Sequence, residues 1–232
     1  MEGIRMFNRL ILATAVAASA AMATPAMAEP ILLDSSNIGD SFTIDYDGFA
    51  DGTTLSGLSA STTFTLTAID GSTYEFDYTV TNTTDGAGVD SRLSSFAFNT
   101  DPDIVGASST GLYNFVVTDS NYPNGIGTVD VCFKAARTNS CAGNSGGLFA
   151  GETGSGSLIL DFGTAPTSIT LDDFFVRYQS ISGIDGVTSA SGRQTSSSSS
   201  SGGTPVPAPG MLGIFGLGLI GLGLARRRRK TA

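Results

Sequence analysis

The chain contains no histidine and no tryptophan, and only two cysteines in 232 residues. Without imidazole there is no Ser-His-Asp or Cys-His nucleophile and no His-ligated metal, and two cysteines fall short of a structural zinc site. Basic side chains are scarce over most of the length. Between Glu29 and Thr204 lie all but one of the 21 acidic residues, yet only five of the 12 basic ones: Arg92, Lys134, Arg137, Arg177 and Arg193. So anionic a surface argues against nucleic acid or an anionic membrane as partner. No stretch from Glu29 to Ser189 keeps a helical period for three turns, and no repeat of fixed period is present. The Gly-rich stretch Gly143–Gly156 lacks the Lys and the helix of a phosphate loop. A hydrolase would have to rest on paired carboxylates. Asp101/Asp103 and Asp172/Asp173 are neighbours on a turn or on opposite strand faces, not groups opposed across a cleft. The residues predict a protein that is not an enzyme.

What is present is clearest at the two ends. Arg5 and Arg9 precede the apolar stretch Leu10–Ala21, and Ala26-Met27-Ala28 offers a small-x-small cleavage site between Ala28 and Glu29. Residues 1–28 read as a secretory signal peptide, which implies the Sec translocon and signal peptidase as partners. At the other end, Pro205-Val206-Pro207-Ala208-Pro209 is followed by the uncharged run Met211–Ala225 and then by Arg226, Arg227, Arg228, Arg229 and Lys230. The run of 15 residues spans about 22 Å as a helix, against about 30 Å of hydrocarbon. Each terminal cation costs about 2.5–3.5 kcal/mol at mid-bilayer, so the block holds the C-terminus on the cytoplasmic side. Six glycines between Gly210 and Gly223 each weaken that helix by about 1 kcal/mol relative to Ala. No two are four apart, so a GxxxG dimerisation face is absent. The expectation is a short, easily unwound transmembrane helix beside an extended Pro-x-Pro segment.

Residues 205–232 resemble a PEP-CTERM sorting signal, the tripartite C-terminal tag that exosortases recognise in Gram-negative bacteria. Pro207, Ala208 and Pro209 match its Pro-Glu-Pro core with Ala in place of the middle Glu. The resemblance implies that these three residues are the processing motif, Met211–Ala225 a transient span, and Arg226–Lys230 a retention block. It also implies an exosortase-type membrane protease as partner and a precursor held in the inner membrane facing the periplasm. The mature form would then reach the cell surface or the extracellular space. Ser95–Thr100, Val131-Cys132-Phe133, Asn139-Ser140-Cys141, Gly146–Glu152 and Val176–Ile181 are similar to landmarks of the cistern family of PEP-CTERM proteins. That likeness implies association with exopolysaccharide and supplies no catalytic residues.

Between the ends, residues 29–189 form one domain. Short alternating runs such as Ser41–Ile44, Thr63–Thr67 and Tyr74–Val80 read as half-buried strands. Further strands are expected at Leu93–Asn99, Tyr113–Thr118, Thr128–Ala135, Ser157–Phe162 and Ile169–Ile181. Asp70-Gly71 lies in a connection expected to be longer than a two-residue hairpin. The fold class expected is all-β, an antiparallel β-sandwich or jelly roll. Residues 190–204, with six consecutive serines, read as a flexible linker. In an exported chain Cys132 and Cys141 are expected to form a disulfide, worth about 2–3 kcal/mol in the loop-entropy account.

Two ligand classes stay open for the domain. Asp45, Asp47 and Asp51 lie on a turn with two glycines and could offer oxygen ligands to Ca²⁺, although no Glu closes the loop; a solvated acidic turn is the alternative. Tyr113, Tyr122 and Tyr178 could serve as sugar platforms, or fill a core or rim. The reading is thus an exported, non-enzymatic surface or matrix protein, with a membrane-anchored carbohydrate- or Ca²⁺-binding module as its alternative.

Overall fold

The computed structural model describes residues 29–200 except Asn144. The expected signal peptide of residues 1–28, the end of the expected linker at 201–204 and the expected transmembrane helix of the C-terminal tail lie outside the described residues. Fourteen strands follow one another: β1 (Ile31–Leu33), β2 (Ser41–Tyr46), β3 (Phe49–Ala50), β4 (Thr53–Thr54), β5 (Ala60–Asp70), β6 (Thr73–Asn82) and β7 (Asp90–Asp101), then β8 (Gly106–Ser109), β9 (Phe115–Tyr122), β10 (Gly127–Lys134), β11 (Leu148–Phe149), β12 (Thr153–Asp161), β13 (Ile169–Ser182) and β14 (Ser189–Ser200). Every pairing is antiparallel. The eight runs read as strands from the sequence all fall on strands; β2, β5 and β6 alternate buried apolar residues with polar ones, whereas β7 and β10 are buried over most of their length and β9 buries only Ser120 and Tyr122.

One path runs through the sheet in the order β8-β12-β6-β5-β2-β14-β13-β7-β10-β9. It folds over at β14. Ser189–Arg193 pair with β13, whereas Gln194–Ser200 pair with β2, and a register shift at Thr195 marks the crossing. The layer led by β2 and β5 thus faces the layer led by β7 and β13, and their inward rings meet. Phe64 lies 5.9 Å from both Phe96 and Phe98, and Phe42 lies 6.2 Å from Phe174. Most of these contacts are edge-to-face, the arrangement ring quadrupoles prefer. At the far ends of the path β8 and β9 come alongside each other without pairing. The result is an antiparallel, barrel-like fold joined through one strand.

Two sequence expectations are corrected. Asp70 pairs with Thr73, so β5 and β6 are joined by a two-residue turn with Gly71 at φ 59°. Glycine in first place supplies the positive φ that a primed hairpin turn requires. The supposed linker is the second correction: Ser189–Ser200 is a strand. Serine has no apolar alternation to reveal it, and the free edge of β2 recruits it by backbone pairing.

Candidate functional site

The outer face of the β7–β13 layer carries a small core of its own. Ala97, Tyr122, Val129, Cys132 and Cys141 pack there, and Tyr122 lies 5.8 Å from Phe175. Cys132 and Cys141 are joined, as expected, and both are fully buried. One row runs across the strands beside them: Lys134 on β10, Ser95 on β7, Arg177 on β13 and Ser191 on β14. Both cations are buried, and neither meets a carboxylate among the described residues. Lys134 instead donates Nζ–H to the Thr138 carbonyl, to Thr138 Oγ1 at 3.0 Å and to the Ser140 carbonyl at 3.3 Å. Arg177 Nη2 donates to Ser189 Oγ at 2.9 Å. Burial holds both cations below their ordinary pKa ranges. The disulfide loop is therefore tied from inside by an amine and a cystine.

The three aspartates proposed for Ca²⁺ are drawn apart. Asp45 Oδ2 accepts from Ser196 Oγ at 2.8 Å on the β2–β14 ladder. Asp47 Oδ2 meets Arg193 Nε at 3.4 Å, and that guanidinium stands 4.8 Å from the Phe49 ring centroid. Asp51 is exposed at the tip of the β3–β4 turn. No three metal-ligating side chains assemble among the described residues.

The tyrosines named as sugar platforms are core residues: Tyr113, Tyr122 and Tyr178 are all at most 1% exposed. Tyr113 donates to the Leu93 carbonyl at 2.8 Å, and Tyr122 shares a 3.4 Å contact with Ser95 Oγ. Tyr122 shows why alternation misled: it faces outward from its strand but lies under the second core.

A grouping that the sequence did not reveal forms where the end of β7 meets β10 and the start of β13. Asp172 is pushed above the usual carboxylate range, chiefly by burial and then by Asp173, Asp130 and Asp101. Asn99 Nδ2 donates to Asp173 Oδ2 at 3.2 Å, and the Thr100 amide donates to Asp130 Oδ2 at 2.7 Å. These residues are far apart in sequence, and only strand register brings them together. Between β8 and β9 lies an open groove of about 440 Å³ lined by Ala107, Val116, Val117, Asp119 and Asn139 among others. Its polar side chains are those of Thr118, Asp119, Ser120 and Asn139, with Asp119 the one carboxylate.

The outer face of the β2–β5 layer is a polar surface. A row of hydroxyls crosses five strands as Ser198, Thr43, Thr63, Thr79 and Ser155, and beside it runs Ser196, Asp45, Ser61, Thr81 and Thr153. Neighbours bond to each other: Thr43 to Thr63 and Ser41 to Thr65 at 2.7 Å, Thr81 to Thr153 at 3.0 Å. None of the five basic residues of the domain stands on this face. Arg92, Lys134 and Arg177 belong to β7, β10 and β13, Arg137 follows β10, and Arg193 lies on the part of β14 paired with β13.

Comparison with known proteins adds one match. No curated protein and no solved structure matches the chain. Residues 205–230 match the PEP-CTERM protein-sorting motif, a stretch that contains Pro207, Ala208 and Pro209, the run Met211–Ala225 and the block Arg226–Lys230. The chain carries the sorting signal of PEP-CTERM proteins, the mark of an exported protein handled by an exosortase-type system.

Proposed function

We propose that the folded domain is a non-enzymatic module of the cell surface or extracellular matrix that associates with neutral exopolysaccharide. The observation that carries this reading is the hydroxyl-lined, cation-free outer face of β2, β5, β6 and β12. A polyanion finds no counter-charge there, and an apolar partner finds little to bury. A polyhydroxylated neutral chain finds donors and acceptors repeated at the strand spacing of about 4.8 Å. The likeness of the Cys132 and Val176–Ile181 segments to cistern proteins supports the same assignment.

The precursor is held in the inner membrane by residues 211–230 and is cut beside Pro207-Ala208-Pro209. Mass spectrometry of the secreted form tests the tail: a C-terminus near Ala208 supports cutting, and an intact apolar tail supports a permanent anchor. Retention on the organism's own exopolysaccharide tests the domain. The secreted protein binds, and the triple change of Thr43, Thr63 and Thr79 to Ala releases it. Retention no greater than that of an unrelated acidic protein ends the assignment.

A further inference from the structure

The chain leaves the fold along a strand made of two unlike halves. In Ser189–Gln194, Ala190, Ser191, Gly192 and Gln194 are buried, and the backbone pairs with β13 as far as Arg193. From Thr195 onward no described side chain is buried. Ser196–Ser200 pair with β2, and no other pairing is made by these residues among the described ones. The register shift at Thr195 separates the halves. Only four residues, Ser201–Thr204, separate the end of β14 from the sorting motif.

We propose that the serine half of β14 is a releasable tether, which unzips from β2 to give the membrane protease access to the sorting motif. The reasoning concerns what each half would lose. Opening Ser189–Gln194 exposes buried side chains of the corner. Opening Thr195–Ser200 exposes no buried side chain among those described: it frees backbone groups and the surface hydroxyl bonds of Thr195 and Ser196 to Asp45, all of which water can satisfy, the condition for local opening at low free energy. Four residues span at most about 14 Å, so with β14 fully paired the processing point cannot lie farther than that from the end of the fold. Release of Thr195–Ser200 lengthens the tether to ten residues and about 34 Å. The bulge at Thr195 is the stop, since beyond it the strand is anchored by burial.

The proposal rests on processing of the tail, and its test separates the two. Ser198 and Thr43 are cross-strand partners on the exposed face, and directly opposed Cβ atoms lie about 4.5–5.5 Å apart, within a small adjustment of the about 3.5–4.5 Å of a disulfide. The full-length chain is expressed with its exosortase as wild type, as the double variant Ser198→Cys/Thr43→Cys, and as that variant with ten Gly and Ser residues inserted after Ser200. The locked form is expected to be processed at least about tenfold more slowly, since only the released fraction is competent. The insertion is expected to restore the rate. A locked chain, its crosslink verified on a non-reducing gel, that is cut at the wild-type rate overturns the tether, and so does a slow rate that the insertion fails to rescue. An uncut wild type overturns the processing reading itself. Hydrogen exchange on the unmodified full-length chain is the second measurement. Amides of Ser196–Ser200 are expected to exchange at least about 100-fold faster than those of Ala190–Gly192, and equal protection refutes the proposal.

Discussion

Gly192 passes so close to Asp47 that a methyl group on its α-carbon would come within 2.3 Å of the Asp47 carbonyl oxygen. The same methyl would stand 2.6 Å from Val176 Cγ2 and 2.9 Å from Tyr178 Cε2. This is the corner where β14 crosses between layers, so the obstruction is backbone and cannot rotate away. Gly192→Ala is expected to cost roughly 1–3 kcal/mol, the range for overpacking. Thermal unfolding should show a fall of about 2–4 °C for each kcal/mol. An unchanged melting temperature would mean the corner is looser than described.

Removing the crosslink tests the second core. Cys132 and Cys141 enclose a short loop, so replacing both with Ser should lower stability by about 2–3 kcal/mol. Denaturant titration of the oxidised wild type against the double variant measures it, with the midpoint moving and the slope nearly constant.

Lys134 holds the same loop from within. Lys134→Met fills similar space but cannot donate to the Thr138 and Ser140 carbonyls, and leaving such acceptors unsatisfied costs about 1–3 kcal/mol. Arg137 is exposed in that loop, so tryptic cleavage after it should accelerate in the variant. Equal cleavage rates in variant and wild type would show that the amine does not hold the loop.

All six tyrosines have their phenols raised above the ordinary value, with burial the largest cause in each. Their neutral forms are therefore favoured by folding. That stability is fully present below pH 10 and is lost as pH climbs from there toward the folded values, by up to about 1.4 kcal/mol per group per pH unit. With no tryptophan to overlap, phenolate absorbance should stay low above pH 10 until the chain unfolds, then rise in one step. A gradual titration centred near 10 would contradict the burial.

The carboxyl of Asp172 behaves in the opposite sense from a salt-bridged one. Its folded pKa is raised, so stability falls as pH rises through the unfolded value of about 3.9 and on through the folded one. Asp172→Asn should raise the melting temperature at pH 7, and the gain should vanish below pH 3. A loss at pH 7 would mean that the carboxylate has a cationic partner.

How much of this was legible depends on the kind of residue. Strands such as Thr63–Thr67 and Tyr74–Val80 announced themselves because Phe64, Leu66, Tyr74 and Phe76 alternate with polar neighbours. Short strands such as β3 and β8 carry too few residues to show a period. Asp45, Asp47 and Asp51 looked like one group because they are close in sequence, yet Ser196 and Arg193 from the far end of the chain engage the first two separately.

Local chemistry alone determined the antiparallel β class, the pairing of two cysteines in a chain with an export signal, and the sorting motif at the C-terminus. Each needs only what the sequence carries directly: alternation of side chains, two cysteines with no other to pair with, or a proline segment followed by an apolar run and cations. Tertiary structure decided the rest. It set which tyrosines are buried, which aspartates gather around Asp172, and that the serine run closes a sheet instead of hanging free. Those outcomes depend on which strand edge meets which, and edge pairing is a backbone interaction that side-chain patterns do not encode.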